Sequence, residues 1–246
     1  MKVLVIDIGG NSVKVLVTGG AEPRKFPSGP ALTPRKMVSG VLKLTEDWHY
    51  DAVSIGFPGR VRENRPVSEP VNLGSGWIKF DFGKAFGVPV KVMNDAAMQA
   101  LGSYESGTML FLGLGTGLGT AMVVAGTVVP IELGHLSYKQ GTYEDYLGLK
   151  GLERQGIKKW RDCFREVVTR FITALEIDDV VIGGGNVNKL DKLPPSCRAG
   201  DNALAFRGGF LLWEEDRRQK SRARSKASSR SSRKDQQSKS FDIDLH

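Results

Sequence analysis

Two glycine-rich turns, each set between apolar strands, constrain the fold of this chain more than any other feature of its sequence. The first turn covers residues 7–12 and the second covers residues 113–119. A dinucleotide-binding fold requires a glycine turn that leads from a strand into a helix, whereas here residues 12–17 predict a returning strand. The repetition therefore predicts an α/β protein with two similar lobes that face each other and direct both glycine turns into the cleft between them.

Turn chemistry and periodicity predict the remaining elements. Thr33 is a candidate N-cap and Pro34 a candidate first residue of a helix with apolar positions at helical spacing. Strands are predicted at 3–6, 13–17, 52–55, 90–93, 109–114, 120–124 and 180–182, and further helices at 96–103, 158–175 and 203–213. We expect an N-terminal lobe over 1–93, completed by a helix at 203–215, and a C-terminal lobe over 94–202.

The positive charge of the chain is concentrated near its C-terminal end. The 246 residues have a formal net charge of +8, and residues 216–246 contribute +6 through ten Lys or Arg and four Asp. This segment has few apolar residues, so it cannot bury enough surface to offset its ordering entropy. We expect a disordered basic tail, which is either a solvated extension or an electrostatic tether for polyphosphate or nucleic acid.

The cysteine and hydropathy patterns favour a cytoplasmic protein. Cys163 and Cys197 are the only cysteines, too few for a disulfide framework or a four-thiolate zinc site. No segment approaches the roughly 20 uninterrupted apolar residues of a membrane span, and Asp7 comes too early for a signal peptide. We therefore expect no membrane partner.

The composition of both glycine turns is suited to binding phosphate. Glycines let backbone N–H groups approach phosphate oxygens without a Cβ in the way, and Asn11, Ser12 and Thr116 add side-chain donors. Asp7, at the end of the first strand, is placed to hold Mg²⁺ through water. The chain contains no G-x-x-x-x-G-K-[ST] loop, which excludes a P-loop kinase.

Polar residues at three further points suggest an alcohol as the phosphoryl acceptor. Asn94 and Asp95 follow an apolar strand, where the carboxylate of Asp95 can accept a hydroxyl proton while Asn94 holds a neighbouring hydroxyl. Glu132 and His135 are separated by Leu133 and Gly134, so both can face the vicinal hydroxyls of a sugar. Glu144 is a further carboxylate that could complete a sugar site. These residues predict phosphoryl transfer to a sugar hydroxyl.

The ordered set of motifs resembles the ROK sugar kinases (repressor, open reading frame, kinase), which have the two-lobed actin-like ATPase fold. The resemblance covers residues 2–215 and includes Asp7-Ile8-Gly9-Gly10, Asn94-Asp95-Ala96, Gly115-Thr116-Gly117, Glu132-Leu133-Gly134-His135 and Gly183-Gly184-Gly185. Over residues 132–154 the chain looks most like the polyphosphate glucokinase branch. The resemblance implies a ribonuclease H-like fold with the active site in the cleft between the lobes.

The resemblance also implies a role for each matching residue. Asp95 would be the catalytic base, and Asn94, Glu132, His135 and Glu144 would bind the sugar. Contacts to phosphate and Mg²⁺ are implied for Asp7, Gly9, Gly10, Ser12, Gly115, Thr116 and Gly117, and contacts to a nucleotide for Gly184 and Gly185. The implied reaction transfers a terminal phosphoryl group from polyphosphate, ATP or both to the 6-hydroxyl of glucose or a related hexose. A homodimer is usual for the family.

Three departures from the family pattern qualify these expectations. Most ROK proteins carry a C-x-C-G-x-x-G-C zinc motif after the histidine, and this chain has no cysteine there, so we expect no zinc. Asn11 stands where the family usually has Thr. Arg60 follows Phe57-Pro58-Gly59 and brings a cation to the expected sugar side.

Two alternatives to a kinase follow from the same family. Some ROK proteins are sugar-responsive repressors with a winged helix-turn-helix before the first glycine turn, but here the first strand begins at Lys2, so we expect no specific DNA binding. The second alternative is a catalytically impaired sensor that binds a sugar or polyphosphate, which the substitution at Asn11 motivates.

Overall fold

A computed structural model describes residues 1–201 and 203–214 of the chain. Residues 1–210 form one compact unit, in which two five-stranded sheets each support a set of helices. The strands are β1 (Val3–Ile8), β2 (Ser12–Val17), β3 (Arg24–Pro27), β4 (Ala52–Phe57), β5 (Val61–Arg62), β6 (Arg65–Pro66), β7 (Val90–Asn94), β8 (Thr108–Leu114), β9 (Leu118–Val124), β10 (Thr127–Pro130), β11 (Ser137–Tyr138), β12 (Gly141–Thr142), β13 (Asp179–Gly183) and β14 (Cys197–Ala199). The helices are α1 (Pro34–Leu44), α2 (Phe82–Phe86), α3 (Asp95–Ser103), α4 (Tyr143–Leu147), α5 (Leu149–Gln155), α6 (Ile157–Leu175) and α7 (204–214).

The two large sheets have the same strand order. The first runs β3-β2-β1-β4-β7 and the second runs β10-β9-β8-β13-β14. In each sheet the first three strands in sequence form an antiparallel meander, and the last two strands join parallel to the first. The predicted repetition of an α/β unit is therefore confirmed, and with it the two-lobed fold class.

The glycine turns join the central hairpin of each sheet. Ile8 pairs with Val13 across the first turn, and Leu114 pairs with Leu118 across the second. Because β4 and β7 run parallel to β1, and β13 and β14 run parallel to β8, the carboxyl ends of three strands meet at the same edge of each sheet. This edge is where an open α/β sheet places its ligands.

Helix α1 covers one face of the first sheet. Thr33 caps the helix by accepting a hydrogen bond from the backbone N–H of Lys36 (3.4 Å), and Pro34 lies in the first turn, as predicted. The buried face of α1, with Met37 and Val41, packs on the apolar residues of β1, β2 and β4. Asp7 lies on the opposite face of β1, so this carboxylate and the apolar cluster beneath α1 lie on different faces of the sheet.

Helix α3 contacts strands of both sheets. Its residues Ala96, Ala97 and Ala100 pack in a cluster with Phe111 of β8, while Met98 lies against Gly56 of β4. Small residues allow this close approach, because a Cβ at Gly119 would be 3.1 Å from the Cβ of Ala96. Since α3 begins at Asp95, its first turn lies where the two sheets meet.

Helix α6 covers an apolar face of the second sheet. Trp160, Phe164, Val168 and Phe171 are buried against β8 and β13, as its amphipathic pattern predicts. The predicted elements are all present, and none of their ends is shifted by more than two residues. Strands β3, β5, β6, β10 to β12 and β14 and helices α2, α4 and α5 were not predicted, because short elements carry too little periodicity.

The predicted division at residue 93 stays a prediction, as does completion of the first lobe by the last helix. Residues 204–210 of α7 lie against the first sheet, where the Ser54 hydroxyl donates a hydrogen bond to the Gly209 carbonyl (2.6 Å). The predicted basic tail at 216–246 lies outside the described residues, and so does residue 215. None of the described helices is both long and apolar enough to cross a bilayer.

Candidate active site

The ends of β1, β4 and β7 bring two carboxylates to one edge of the first sheet. Asp7 pairs in register with Gly56, and Gly56 pairs with Met93, so that Asn94 and Asp95 continue just beyond the same row. Adjacent strands are about 4.8 Å apart, which places Asp7 and the end of β7 roughly two strand spacings from each other. Sequence alone suggested each carboxylate, and the sheet order brings them together.

Asn94 and Asp95 form the junction between β7 and α3. The Asn94 side chain caps the helix by accepting from the Ala97 N–H (3.0 Å), and its amide donates to the Gly59 carbonyl (3.1 Å). These bonds fix the junction and hold it against the segment that carries Arg60, whose own N–H donates to Ser68 Oγ (3.3 Å). Arg60 is exposed.

Asp95 is a partly buried carboxylate with an elevated pKa. Burial, then the negative charge of Asp7 and, more weakly, that of Glu132, raise the pKa of Asp95 to about 7, against a lowering effect of the Ala96 N–H, which donates to Oδ1 (2.8 Å). A carboxylate poised near neutral pH is suited to accept a proton from a hydroxyl. The influence of Asp7 and Glu132 also indicates that residues far apart in sequence converge on this group.

Asp7 lies beside a lysine that sequence reasoning missed. Burial raises the pKa of Asp7, and Lys14, whose Nζ is 3.8 Å from Oδ2, acts in the opposite direction. The two residues are directly opposite in the β1–β2 register. That register follows from the length of the glycine turn, so the alternation of β2 could have identified Lys14 as a group on the same face as Asp7.

The first glycine turn presents backbone N–H groups at an exposed tip. Its base is closed by Gly9, which donates to the Ser12 carbonyl (3.0 Å) and accepts from the Ser28 hydroxyl (2.5 Å). Gly10 and Asn11 are exposed, and neither backbone N–H donates to another described residue. Ser12 is half-buried at the start of β2. The turn therefore leaves two adjacent amides for an anion.

The second glycine turn has the same arrangement of free amides. Gly115 donates to the carbonyls of Gly113 and Gly117 (both 3.1 Å), whereas the N–H groups of Thr116 and Gly117 have no acceptor among the described residues. The Thr116 carbonyl accepts from Leu149 at the start of α5 (3.1 Å). The carbonyl side of the turn is thus fixed by a hydrogen bond to α5, while its N–H groups remain available to a ligand.

Asn186 ties the triple glycine to the second glycine turn. Its buried side chain donates to the Gly115 carbonyl (3.0 Å), and its backbone N–H donates to the Leu114 carbonyl (3.0 Å). Gly184 has a φ of +87°, and a Cβ there would collide with the backbone of Leu114. Gly185, by contrast, is exposed with open space around it. Asn186 is a second residue that sequence reasoning missed, since only the fold brings it to the turn.

Glu132 and His135 are exposed residues of the site. Their side chains are 3.9 Å apart (Oε2 to Nδ1) and lie on a short 3₁₀ turn after β10. Thr120 of β9 fixes this turn by donating to the Ile131 carbonyl (2.7 Å) and accepting from the Leu133 N–H (3.0 Å). A Cβ at Gly134 would be 2.8 Å from the Leu118 carbonyl, so glycine is required for this close approach.

Glu144 is oriented toward the second glycine turn. Its Oε2 accepts from the Leu118 N–H (2.9 Å), and the same carboxylate lies against Gly117, where a Cβ would collide with it. The aromatic residues on either side, Tyr143 and Tyr146, pack with Tyr138 in the core beneath α6. Glu144 is therefore close to both the turn and the segment of Glu132, whereas its aromatic neighbours serve packing.

The carboxylates of the site suit a Mg²⁺ ion that is also bound by substrate and water better than a metal centre in which the protein supplies every ligand. Among the described residues no group of three or more His, Cys, Asp or Glu could hold a metal ion. Mg²⁺ needs only one or two carboxylates when substrate phosphates and water supply its other ligands, and Asp7 beside the first glycine turn meets that need. When bound, the ion would neutralise phosphate oxygens.

The chain belongs to the ROK family, whose model, described as "ROK family", matches residues 3–142. This confirms the family predicted from the motifs. A bifunctional enzyme NanE/NanK from Brucella melitensis is 29% identical over 143 residues, which are 52% of this chain and 27% of that protein. A polyphosphate glucokinase from Mycobacterium tuberculosis is 26% identical over 213 residues, which are 77% of this chain and 80% of that protein.

Solved structures of ROK proteins have the same fold. The inorganic polyphosphate/ATP-glucomannokinase from Arthrobacter sp. strain KM has a TM-score of 0.74 at 22% identity and matches 86% of this chain and 97% of its own. A ROK family glucokinase from Streptomyces griseus, in complex with glucose and AMPPNP, has a TM-score of 0.67 at 18% identity and matches 86% of this chain and 99% of its own. The predicted actin-like ATPase fold is confirmed by these likenesses.

Proposed function

We propose that this protein is a hexose kinase that transfers a terminal phosphoryl group to the 6-hydroxyl of glucose or a related hexose. The observation that supports it best is the partly buried Asp95, whose pKa of about 7 suits a general base, at an edge that also carries a glycine turn with free amides. The polyphosphate glucokinase relative and the glucokinase structure of the same fold make a hexose acceptor the natural first choice.

In the proposed reaction, Asp95 accepts the proton of the hexose hydroxyl while that oxygen attacks the terminal phosphorus in line. Phosphoryl transfer has a loose transition state, so positioning and charge neutralisation supply most of the catalysis. The amides of Gly10 and Asn11 on one side, and of Thr116 and Gly117 on the other, donate to the phosphate oxygens. A Mg²⁺ ion held by Asp7 would neutralise further charge on the same oxygens.

The hexose is held in the proposal by residues from both sheets. Asn94 has an oxygen and an amide fixed at the start of α3, and Glu132 and His135 form an exposed acceptor and donor pair. The carboxylate of Glu144 adds an acceptor on the side of the second turn. Gly184 and Gly185 would lie against a nucleotide when ATP is the donor. We further propose that the protein acts in the cytoplasm without zinc, and as a homodimer.

A side-by-side donor assay tests this proposal. Purified protein would be incubated with glucose, mannose or N-acetylmannosamine, with Mg²⁺ and with either ATP or polyphosphate, and the hexose 6-phosphate would be quantified. We expect glucose phosphorylation with at least one donor. Binding of a hexose in isothermal titration calorimetry without product from any donor would refute the kinase and favour the impaired sensor that Asn11 suggests.

A further inference from the structure

A row of charged residues crosses the first sheet beside the candidate site. Asp7 of β1 is directly opposite Lys14 of β2, and Lys14 is directly opposite Lys25 of β3. Residues in register share a face, so Asp7, Lys14 and Lys25 point to the side of the sheet away from α1. Across the sheet, the charged residues therefore follow the order Asp95 after β7, Asp7 on β1, Lys14 on β2 and Lys25 on β3.

The two lysines differ from the other cation of β3 in their partners. Arg24 lies on the α1 side of the sheet, where its guanidinium forms an ion pair with Asp47 (2.5 Å) and stacks on Trp48. Lys14 has one long ion pair, with Asp7, and Lys25 is exposed and forms no ion pair with any described residue. The ammonium group of Lys25 is therefore not paired with any described residue and is available to an anionic ligand.

The proposed reaction gives this row a direction. An in-line transfer requires the attacking and leaving oxygens to lie on opposite sides of the phosphorus. Asp95 marks the attacking side at the end of β7, so a donor chain that continues along the first sheet passes Asp7 and then reaches β2 and β3. Lys14 and Lys25 are one strand spacing apart, about 4.8 Å, so neighbouring phosphates of one linear chain can contact both.

We propose that Lys14 and Lys25 bind the donor phosphates that follow the transferred one, and that the preferred donor is linear polyphosphate. This inference rests on the proposed kinase function and specifies its donor. In this order the first phosphate beyond the transferred one lies beside Asp7 and the second beside Lys14. A nucleoside triphosphate has only these two, so Lys25 gains a contact only when the phosphate chain continues. Lys25 is therefore a residue that determines donor specificity.

The test compares Lys25→Gln with Lys43→Gln as a matched control. Lys43 is an exposed lysine on α1, on the opposite face of the same sheet, and forms no ion pair with a described residue. We expect Lys25→Gln to lower kcat/KM for long-chain polyphosphate by about three- to tenfold and for tripolyphosphate by less. The slope of log(kcat/KM) against log[salt] should also become shallower by roughly 0.7–0.9, the value expected for one lost cation contact.

An equal effect of Lys25→Gln and Lys43→Gln at every chain length would overturn the proposal, because a general loss of positive charge would then explain both. Binding of fluorescently labelled polyphosphate to the wild type and to the two variants gives a readout that needs no turnover. If the wild type phosphorylates no hexose, the proposed function fails, and weaker polyphosphate binding by Lys25→Gln alone would still support the cationic row.

Discussion

The two sheets have one topology but obtain their chemistry from different places. In the first sheet the ionisable groups lie on the strands or directly after them, at Asp7, Lys14 and Asp95. In the second sheet the strands that meet at the glycine turn end in the apolar residues Leu114 and Leu118, and the ionisable groups Glu132 and Glu144 come from the segment after β10. The duplicated framework thus fixes where the strands end, while each half supplies its chemistry independently.

The glycine turns differ in the same way. The first turn is supported by the half-buried Ser28 and has an open, exposed tip. The second is enclosed by Glu144, by the start of α5 and by the buried Asn186. A turn that is braced on several sides tolerates less change than an open one, so the two halves should respond unequally to matched substitutions.

The largest expected effect is loss of turnover on removing the acid of the first sheet. Asp95→Asn keeps the size of the side chain but cannot accept the hydroxyl proton, so kcat should fall by about two to four orders of magnitude. Hexose affinity, measured by isothermal titration calorimetry, should change little. Wild-type turnover in this variant would show that the proton goes elsewhere.

A pair of substitutions in the triple glycine tests how tightly the second half is braced. Gly184→Ala requires a left-handed conformation for alanine and brings its Cβ against the backbone of Leu114, so it should lower the free energy of unfolding by about 2–4 kcal/mol. Gly185→Ala faces open space and serves as the control, with an expected change within about 0.5 kcal/mol. Urea unfolding of both variants makes the comparison, and equal stabilities would contradict the described packing.

The pH dependence of stability tests the environment of Asp95. Its folded pKa of about 7 exceeds the ordinary value of 3.8, so the folded state holds the proton more tightly than the unfolded chain. The favourable contribution is complete below pH 4 and is lost as the pH rises to about 7. In metal-free buffer, Asp95→Asn should therefore gain stability relative to the wild type between pH 4 and 7, by about 4 kcal/mol at the plateau. A pH-independent difference would place the Asp95 pKa near its ordinary value.

The smallest expected effects concern the side-chain hydrogen bond that supports each glycine turn. Asn186→Ala removes a buried donor from the Gly115 carbonyl and should cost about 1–2 kcal/mol, whereas Ser28→Ala at the half-buried Gly9 carbonyl should cost about 0.5–1 kcal/mol. Thermal unfolding of both variants shows which substitution lowers the stability more. The reverse order would mean that the open turn, and not the enclosed one, depends more on its brace.

Much of this fold could be predicted from local sequence because its strongest signals are local. The two hairpins, the capped start of α1 at Thr33 and the amphipathic face of α6 each depend on residues within one element. The short edge strands β3 and β14 escaped prediction because their formation depends on the neighbouring strand more than on their own residues.

The sequence by itself determined the repeated strand-turn-strand unit and the residue types at its turns, because glycine, carboxylate and amide side chains carry their chemistry wherever they lie. Only the tertiary structure decided that Asp7 and Glu132 act on Asp95, that Asn186 braces a turn formed far earlier in the chain, and that Lys14 and Lys25 share a face with Asp7. These are relations across strands and between sheets, and their strength depends on distance and burial, which the order of residues alone does not specify.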